Sequence, residues 1–419
     1  MKTFTYISLG CKVNSYETNA ICDLLKNKGY VYSDTNPDVA IINTCSVTAT
    51  ADQKSRQHIR KLKNKYPHAV IAVMGCYSQG QHKFIKEEIN ADVIVGTSNR
   101  HILIELIERF EKEHEQIDMV GDNPRFFDYE ELGITSFSEN ARAYLKIEDG
   151  CDNFCSYCLI PFRRGRTRSR LPENVILEAT SLVKQGYKEI VLTGIHIGGY
   201  GKDLENMNFS KITGLLLEIP SLYRLRISSI EESEIDDTLI NLINNSHNLA
   251  NHFHIPLQSG SDTVLKRMNR KYNCEQFFNK IALIKKACPQ VALTTDVIVG
   301  YPGEGEEEFL ETYEFIKKCG FHMLHVFPYS AREGTLAARS KDQIDPKIKK
   351  ERCLKLIELS NDLWNEYTDK FVGEEVEVLI EQYDAKNNCS IGHTSNYIEV
   401  IIKDKQYQPG EIVRTIYTK

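Results

Sequence analysis

The chain has 419 residues, 41% of them hydrophobic, and its 52 Lys and Arg against 58 Asp and Glu give a formal net charge of -6. Length on this scale suggests about two to four domains with well-filled cores, and no window approaches the run of about 20 apolar residues that a membrane helix needs. An acidic chain is not coated in positive potential, so any nucleic-acid contact has to be local.

The opening residues run straight into a strand pattern, which is read as the absence of a leader. The 12 cysteines of so long a chain do not suit a disulfide scaffold, which belongs to short secreted domains. A cytoplasmic location with reduced thiols and no membrane partner is the expectation.

Residues 1–125 alternate short β runs with helical segments, the pattern of a parallel sheet covered by helices. Strands are expected at 4–9, 39–43, 70–74 and 93–95, and a cysteine follows three of them, in Gly10-Cys11, Thr44-Cys45 and Gly75-Cys76. Open parallel sheets bind ligands beyond the carboxyl ends of their strands. Cys11, Cys45 and Cys76 are therefore expected to meet at one sheet edge, although more than 30 residues separate each from the next. Free cysteine often only fills a core. Three at strand ends, two of them after glycine, point instead to an iron–sulfur cluster held by thiolates. Cys22, Cys274, Cys288, Cys319, Cys353 and Cys389 share no such placement and read as packing residues. The basic stretch from Lys54 to Lys65 is spread along a helix and reads as an exposed face.

Residues 126–139 are polar, acidic and irregular, as in a linker. From 140 to 367, strands are expected at 143–147, 189–193, 224–228, 252–256, 292–299 and 322–328, separated by helical segments such as 172–185 and 274–288. Six βα units make an incomplete parallel barrel with its site at the strand carboxyl ends. Its open side suits a bulky substrate.

Just after the first of these strands comes Cys151-Asp152-Asn153-Phe154-Cys155-Ser156-Tyr157-Cys158. Thiolates spaced by three and then two residues fit one face of an iron–sulfur cube and leave the fourth iron open. A structural zinc site would require a fourth ligand, and the next histidine, His196, lies on a different element. This triplet continues as Leu159-Ile160-Pro161-Phe162-Arg163-Arg164-Gly165-Arg166. The whole phrase resembles the radical-SAM methylthiotransferase family. Ser8-Leu9-Gly10-Cys11-Lys12-Val13-Asn14, Asn43-Thr44-Cys45-Ser46-Val47-Thr48 and Met74-Gly75-Cys76 are similar to the three cysteine motifs of that family's amino-terminal domain.

A helical passage at 346–370 leads into a β-rich end, residues 370–419, with strands expected at 375–381, 397–402 and 412–417. Here Gly392-His393-Thr394-Ser395-Asn396-Tyr397-Ile398-Glu399-Val400 resembles the TRAM domain, a small β-barrel associated with RNA binding. Six Lys and Arg against eight Asp and Glu in this segment leave it without the usual basic footprint.

The resemblance implies an α/β protein of three parts: an amino-terminal parallel domain, a partial (βα)6 radical-SAM barrel and a carboxy-terminal TRAM-like β-barrel. It implies two [4Fe-4S] clusters, one on Cys11, Cys45 and Cys76 and one on Cys151, Cys155 and Cys158. The second would pass an electron to S-adenosylmethionine and generate a 5′-deoxyadenosyl radical. The first would bind or supply sulfur, and two S-adenosylmethionine per turnover would place –SCH3 on an unactivated C–H bond. No acid–base pair could perform that step. Gly194, Ser228, Gln258 and Asp296, in phrases at successive strand ends, are the expected cofactor contacts, while His196 and His254 read as structural. Five arginines in eight residues, Arg163, Arg164, Arg166, Arg168 and Arg170, suit phosphate recognition on RNA.

The motifs stand closest to the branch acting on N6-threonylcarbamoyladenosine at tRNA position 37. Alternatives are isopentenyladenosine in tRNA, a ribosomal-protein aspartate, or an iron–sulfur RNA-binding protein without catalysis. Implied partners are that tRNA, an electron donor such as a flavodoxin or ferredoxin, and a sulfur source.

Overall fold

The computed structural model describes residues 1–121, 128–133 and 141–419. Its first layer is a six-stranded parallel sheet of β1 (Thr3–Ser8), β2 (Val31–Tyr32), β3 (Val39–Thr44), β4 (Val70–Gly75), β5 (Val93–Ile94) and β6 (Ile117–Asp118). The strand order is β2-β1-β3-β4-β5-β6. Strands β3 and β4 are buried along their whole length, as expected of parallel strands covered on both faces, which read as continuous apolar runs. The four expected strands are present; β2 and β6, two residues each, are too short to leave a period in the sequence.

Helices α1 (Lys12–Asn27), α2 (Ala49–Lys65) and α3 (Cys76–Phe84) begin at the carboxyl ends of β1, β3 and β4. Thr48 caps α2 by accepting the Ala51 N–H at 3.1 Å, and α2 buries only Ser55, Ile59 and Leu62, so its basic side chains form an outer face. Helix α1 is unusual in serving two cores. Ile21 and Leu25 pack with the amino-terminal sheet, while Tyr16 and Ala20 join the core of the following barrel.

That barrel is built from β7 (Ala143–Lys146), β10 (Glu189–Thr193), β11 (Arg224–Ile227), β12 (His252–His254), β13 (Ala292–Val299) and β14 (Met323–Pro328), with a small pair, β8 (Glu148–Asp149) and β9 (Arg168–Ser169), beside it. All six are parallel, in two three-stranded sets. Isolated bridges Leu225↔Leu249 and Ser229↔His254 join the sets into one open, curved wall.

The last helix, Pro346–Asp369, packs along β14 and β13. It delivers the chain to an antiparallel sheet of β15 (Glu375–Asp384), β16 (Cys389–Thr394), β17 (Glu399–Lys403) and β18 (Ile412–Ile416), in the order β17-β16-β15-β18. This sheet is a curled half-barrel, not a closed barrel, because β17 and β18 are its two edges. Strand β16 escaped the sequence reading, since Cys-Ser-Ile-Gly-His-Thr holds only two strand formers, Ile391 and Thr394, with Gly392 between them.

Within the stretch read as a linker, residues 126, 127 and 134–139 lie outside the described residues. The described segment between them is tied down. Tyr129 donates to Lys146 O at 3.0 Å, Glu130 pairs with Arg100 at 2.7 Å, and Glu131 with Arg170 at 2.8 Å.

Candidate active site

Three strand-to-helix junctions bring the dispersed cysteines together. Cys11 is the N-cap of α1, Cys45 follows β3, and Cys76 is the first residue of α3. The helix N-termini at Cys11 and Cys76 favour anionic sulfur. Glycine makes the approach possible: Gly10 and Gly75 have φ of +103° and +105°, and a Cβ on Gly10 would stand 2.9 Å from Cys45 Sγ. Asn14 ties the loops, donating to Leu9 O at 2.7 Å and Thr44 O at 3.0 Å while accepting from Cys11 Sγ at 3.6 Å. Burial raises the Cys45 thiol above its ordinary value and pushes Cys76 up to about 11.

The contiguous triplet lies on one loop after β8. Phe154, between its first two cysteines, is held at φ 47°, a left-handed conformation that costs a non-glycine residue about 1–2 kcal/mol. Each sulfur meets an N–H donor. Asn153 N lies 3.5 Å from Cys151 Sγ, Ile160 N 3.4 Å from Cys158 Sγ, and Arg270 Nη1 3.3 Å from Cys155 Sγ. His196 Nε2 pairs with Glu234 at 2.8 Å; burial works against its protonation, but the nearby Cys151 and Glu234 push it up to about 11. Burial also pushes Cys158 to about 12.

Between the triplets sits a buried ionic hub. Arg164 donates to Cys76 Sγ at 3.2 Å, Glu17 at 2.7 Å, Asn14 at 3.1 Å and Asp149 at 3.1 Å. Lys146 reaches Glu17 at 2.9 Å and Asp149 at 2.6 Å, and Arg100 pairs with Glu17 as well. Burial alone would raise the Glu17 carboxyl, but Arg100, Arg164 and Lys146 hold it well below the usual range.

Two cavities open beside the triplets. The smaller, about 260 Å³, is lined by Cys76 and Cys158, one cysteine from each triplet, together with Ser46, Arg163, Gln258 and Asp296. The larger, about 750 Å³, is lined by Cys11, Lys12, Gly194, Ser228, Asp296 and Tyr397 among others. Asp296 belongs to both. All four residues expected to touch cofactor therefore face this space. Gln258 is itself held at φ 66°, its N–H donating to Asp296 O at 2.8 Å and its carbonyl accepting from Ile298 N at 2.9 Å. His254 bridges Thr294 Oγ1 at 3.0 Å and Asp296 at 3.2 Å, which suits a positioning role.

The arginine run departs from expectation. Arg164 is fully buried in the hub; Arg168 is buried, donating to Arg164 O at 2.8 Å; Arg170 is buried between Glu131 and Glu178. These three are not free to meet RNA, because desolvated guanidiniums are held by carboxylates. Arg163 is half-buried at the smaller cavity. Arg166 alone of the five is exposed, pairing with Asp152 at 3.0 Å.

Sequence reasoning missed Arg270, Lys12 and Tyr397 as site residues. Only Lys12, next to Cys11, carried a signal. Tyr397 comes from the terminal sheet, with its ring stacked on His252 at 4.8 Å and Arg226 5.0 Å from its centre.

Residues 3–96 match the uncharacterized protein family UPF0004 and residues 145–316 the radical SAM superfamily. A threonylcarbamoyladenosine tRNA methylthiotransferase from Bacillus subtilis is 47% identical over 99% of this chain and 93% of its own. The chain belongs to the radical-SAM methylthiotransferase family. Another relative of this methylthiotransferase, a tRNA-2-methylthio-N(6)-dimethylallyladenosine synthase from Thermoanaerobacter pseudethanolicus, is 37% identical over 89% of this chain and 80% of its own. The methylthiotransferase also shares its fold with TsrM, a radical S-adenosylmethionine methyltransferase from Kitasatospora setae, at TM-score 0.61 and 13% identity over 81% of this chain and 77% of that one.

Methylthiotransferases of this family use two [4Fe-4S] clusters and S-adenosylmethionine. The donor chemistry of this one fits such groups. Among the described residues no three Cys, His, Asp or Glu side chains converge on a single ion, whereas a cluster presents a separate iron to each thiolate. N–H donors aimed at sulfur are what a coordinated thiolate accepts. Among the described residues no helix is long and apolar enough to cross a membrane.

Proposed function

We propose that this methylthiotransferase converts N6-threonylcarbamoyladenosine at tRNA position 37 to its 2-methylthio form, in the cytoplasm and with an external electron donor and sulfur source. The observation that carries the reading is that one cavity is lined by a cysteine from each triplet, Cys76 and Cys158. Sulfur insertion at an unactivated C–H bond requires the sulfur and the hydrogen-abstracting centre to reach one carbon, and a common cavity meets that requirement.

Cys151, Cys155 and Cys158 would hold one cluster and Cys11, Cys45 and Cys76 the other. When bound, the clusters supply one-electron reduction of S-adenosylmethionine and sulfur for transfer. The chain supplies position and environment. Arg270 and the Asn153 N–H fix Cys155 and Cys151, and Arg164 fixes Cys76 against the barrel. Gly194, Ser228, Gln258 and Asp296 line the space for S-adenosylmethionine. Leu159, Ile298 and Phe327 give the smaller cavity an apolar wall, and an apolar wall disfavours water beside a reactive intermediate.

Nucleoside mass spectrometry of total tRNA from cells with and without the gene tests the reading. Loss of the 2-methylthio nucleoside with accumulation of N6-threonylcarbamoyladenosine is expected. An unchanged profile, in cells without a second such enzyme, would contradict it.

A further inference from the structure

The larger cavity is lined by two cations, of which one has no partner among the described residues. Lys12 and Arg226 both face it, and Asp296 is the one carboxylate among its lining residues, already engaged by His254 at 3.2 Å. Arg226 is committed to the protein. Its guanidinium donates to Glu189 at 2.7 Å and to the carbonyls of Ser395 and Thr394 at 3.0 and 3.2 Å. Arg142, next to it, is taken up by Glu189 and Glu381. Lys12 differs from both, since among the described residues its ammonium makes no hydrogen bond or ion pair.

Two of the imidazoles around the same space, His252 and His325, do not compete for an anion as cations. Burial and the Arg226 guanidinium hold His252 well below its ordinary value, and burial with the neighbouring His254 lowers His325. They remain neutral near pH 7 and can donate or accept hydrogen bonds to a polar ligand. An ammonium without a partner among the described residues, lining a cavity whose one carboxylate is engaged by His254, suits an anionic group on whatever enters.

We propose that Lys12 recognises a carboxylate in this cavity, and that the carboxylate is the threonyl one of N6-threonylcarbamoyladenosine. This rests on the substrate reading above and names the residue that enforces it. The threonylcarbamoyl group ends in a carboxylate that can pair with the ammonium directly. A dimethylallyl group has no charge or acceptor, and its entry would leave Lys12 desolvated without a partner. S-adenosylmethionine also carries a carboxylate, so the experiment has to separate the two sources.

Anticodon stem-loop RNA bearing N6-threonylcarbamoyladenosine, or the same RNA as its threonyl methyl ester, is titrated with anaerobically reconstituted holoenzyme by fluorescence anisotropy. Methylthiolation of each RNA is read by nucleoside mass spectrometry. The wild-type protein is expected to bind the acid about tenfold or more tightly than the ester, the scale of one charged hydrogen bond. Lys12→Gln should erase the difference by weakening the acid and not the ester, and Lys12→Arg should restore part of it. Because Lys12 adjoins Cys11, iron content is measured on each variant, and the acid-to-ester ratio of the wild type needs no variant. Equal binding of acid and ester by the wild type would overturn the proposal. So would an acid preference that persists in Lys12→Gln while its S-adenosylmethionine binding weakens, which would assign Lys12 to the methionyl carboxylate. Methylthiolation of neither RNA by the wild type would overturn the substrate reading together with it, whereas methylthiolation of both at equal affinity would overturn this inference alone.

Discussion

The two cysteine triplets reach the same cavity by opposite routes. Cys151, Cys155 and Cys158 lie within eight residues, so their spacing is set by local turns on one loop. Cys11, Cys45 and Cys76 are spread over 66 residues and meet only because β1, β3 and β4 stand side by side and their loops close over glycine. Arg164, from the barrel, then clamps Cys76. The contiguous triplet depends on a loop. The dispersed triplet depends on a sheet, an interface and a buried charge network.

The largest expected effects separate the two roles. Cys155→Ala should abolish anaerobic cleavage of S-adenosylmethionine, scored as 5′-deoxyadenosine. Cys45→Ala should retain cleavage yet yield no methylthiolated RNA. Full cleavage by the first variant, or product from the second, would break the comparison.

Arg164→Met strikes the dispersed triplet through its clamp. It leaves Glu17 and Asp149 with less compensation in a buried site, at a cost of about 3–5 kcal/mol. Denaturant titration should show that loss, and iron per chain should fall from about eight toward about four. An unchanged midpoint and iron content would show that the clamp is dispensable. Gly75→Ala should cost about 1–3 kcal/mol through backbone strain, since its Cβ would stand 2.5 Å from Thr44 O. Thermal unfolding of the reconstituted protein checks it, with loss of the amino-terminal cluster before the other.

Acid should act in the same order. Glu17 is held below the ordinary carboxylate range by its cations, after burial is overcome. Its contribution is therefore present above the unfolded carboxyl value of 4.5 and is lost as pH falls below that toward the depressed folded value. Glu17→Gln should flatten the acid-side slope of stability, and an unaltered slope would contradict the assignment. The smallest effect belongs to Arg166→Ala. Its pair with Asp152 is exposed, so stability should change by less than about 0.5 kcal/mol.

Much of the scaffold was legible because its strands are long, apolar and bounded by turn residues. The strands Glu189–Thr193 and Ala292–Val299 coincide end to end with their sequence expectation. The arginine run was not legible, and the reason is distance along the chain. Arg164 meets Glu17 across 147 residues and Arg270 meets Cys155 across 115. A guanidinium buried against remote carboxylates looks, in sequence, like one facing solvent. Tyr397 was hidden for a related reason, as only the docking of the terminal half-barrel through Arg226 brings it to the cavity. The cysteines were readable because strand ends and short spacings are local; the residues that position their sulfurs are not.

The central claim is that two thiolate triplets of different construction each hold a cluster beside one cavity. Iron and sulfide content of the anaerobically reconstituted chain tests it most directly, set against Cys11→Ala/Cys45→Ala/Cys76→Ala and Cys151→Ala/Cys155→Ala/Cys158→Ala. The account predicts about eight irons per wild-type chain and about four in each triple variant. About four irons in the wild type, or loss of all iron in either variant with the fold intact, would contradict it.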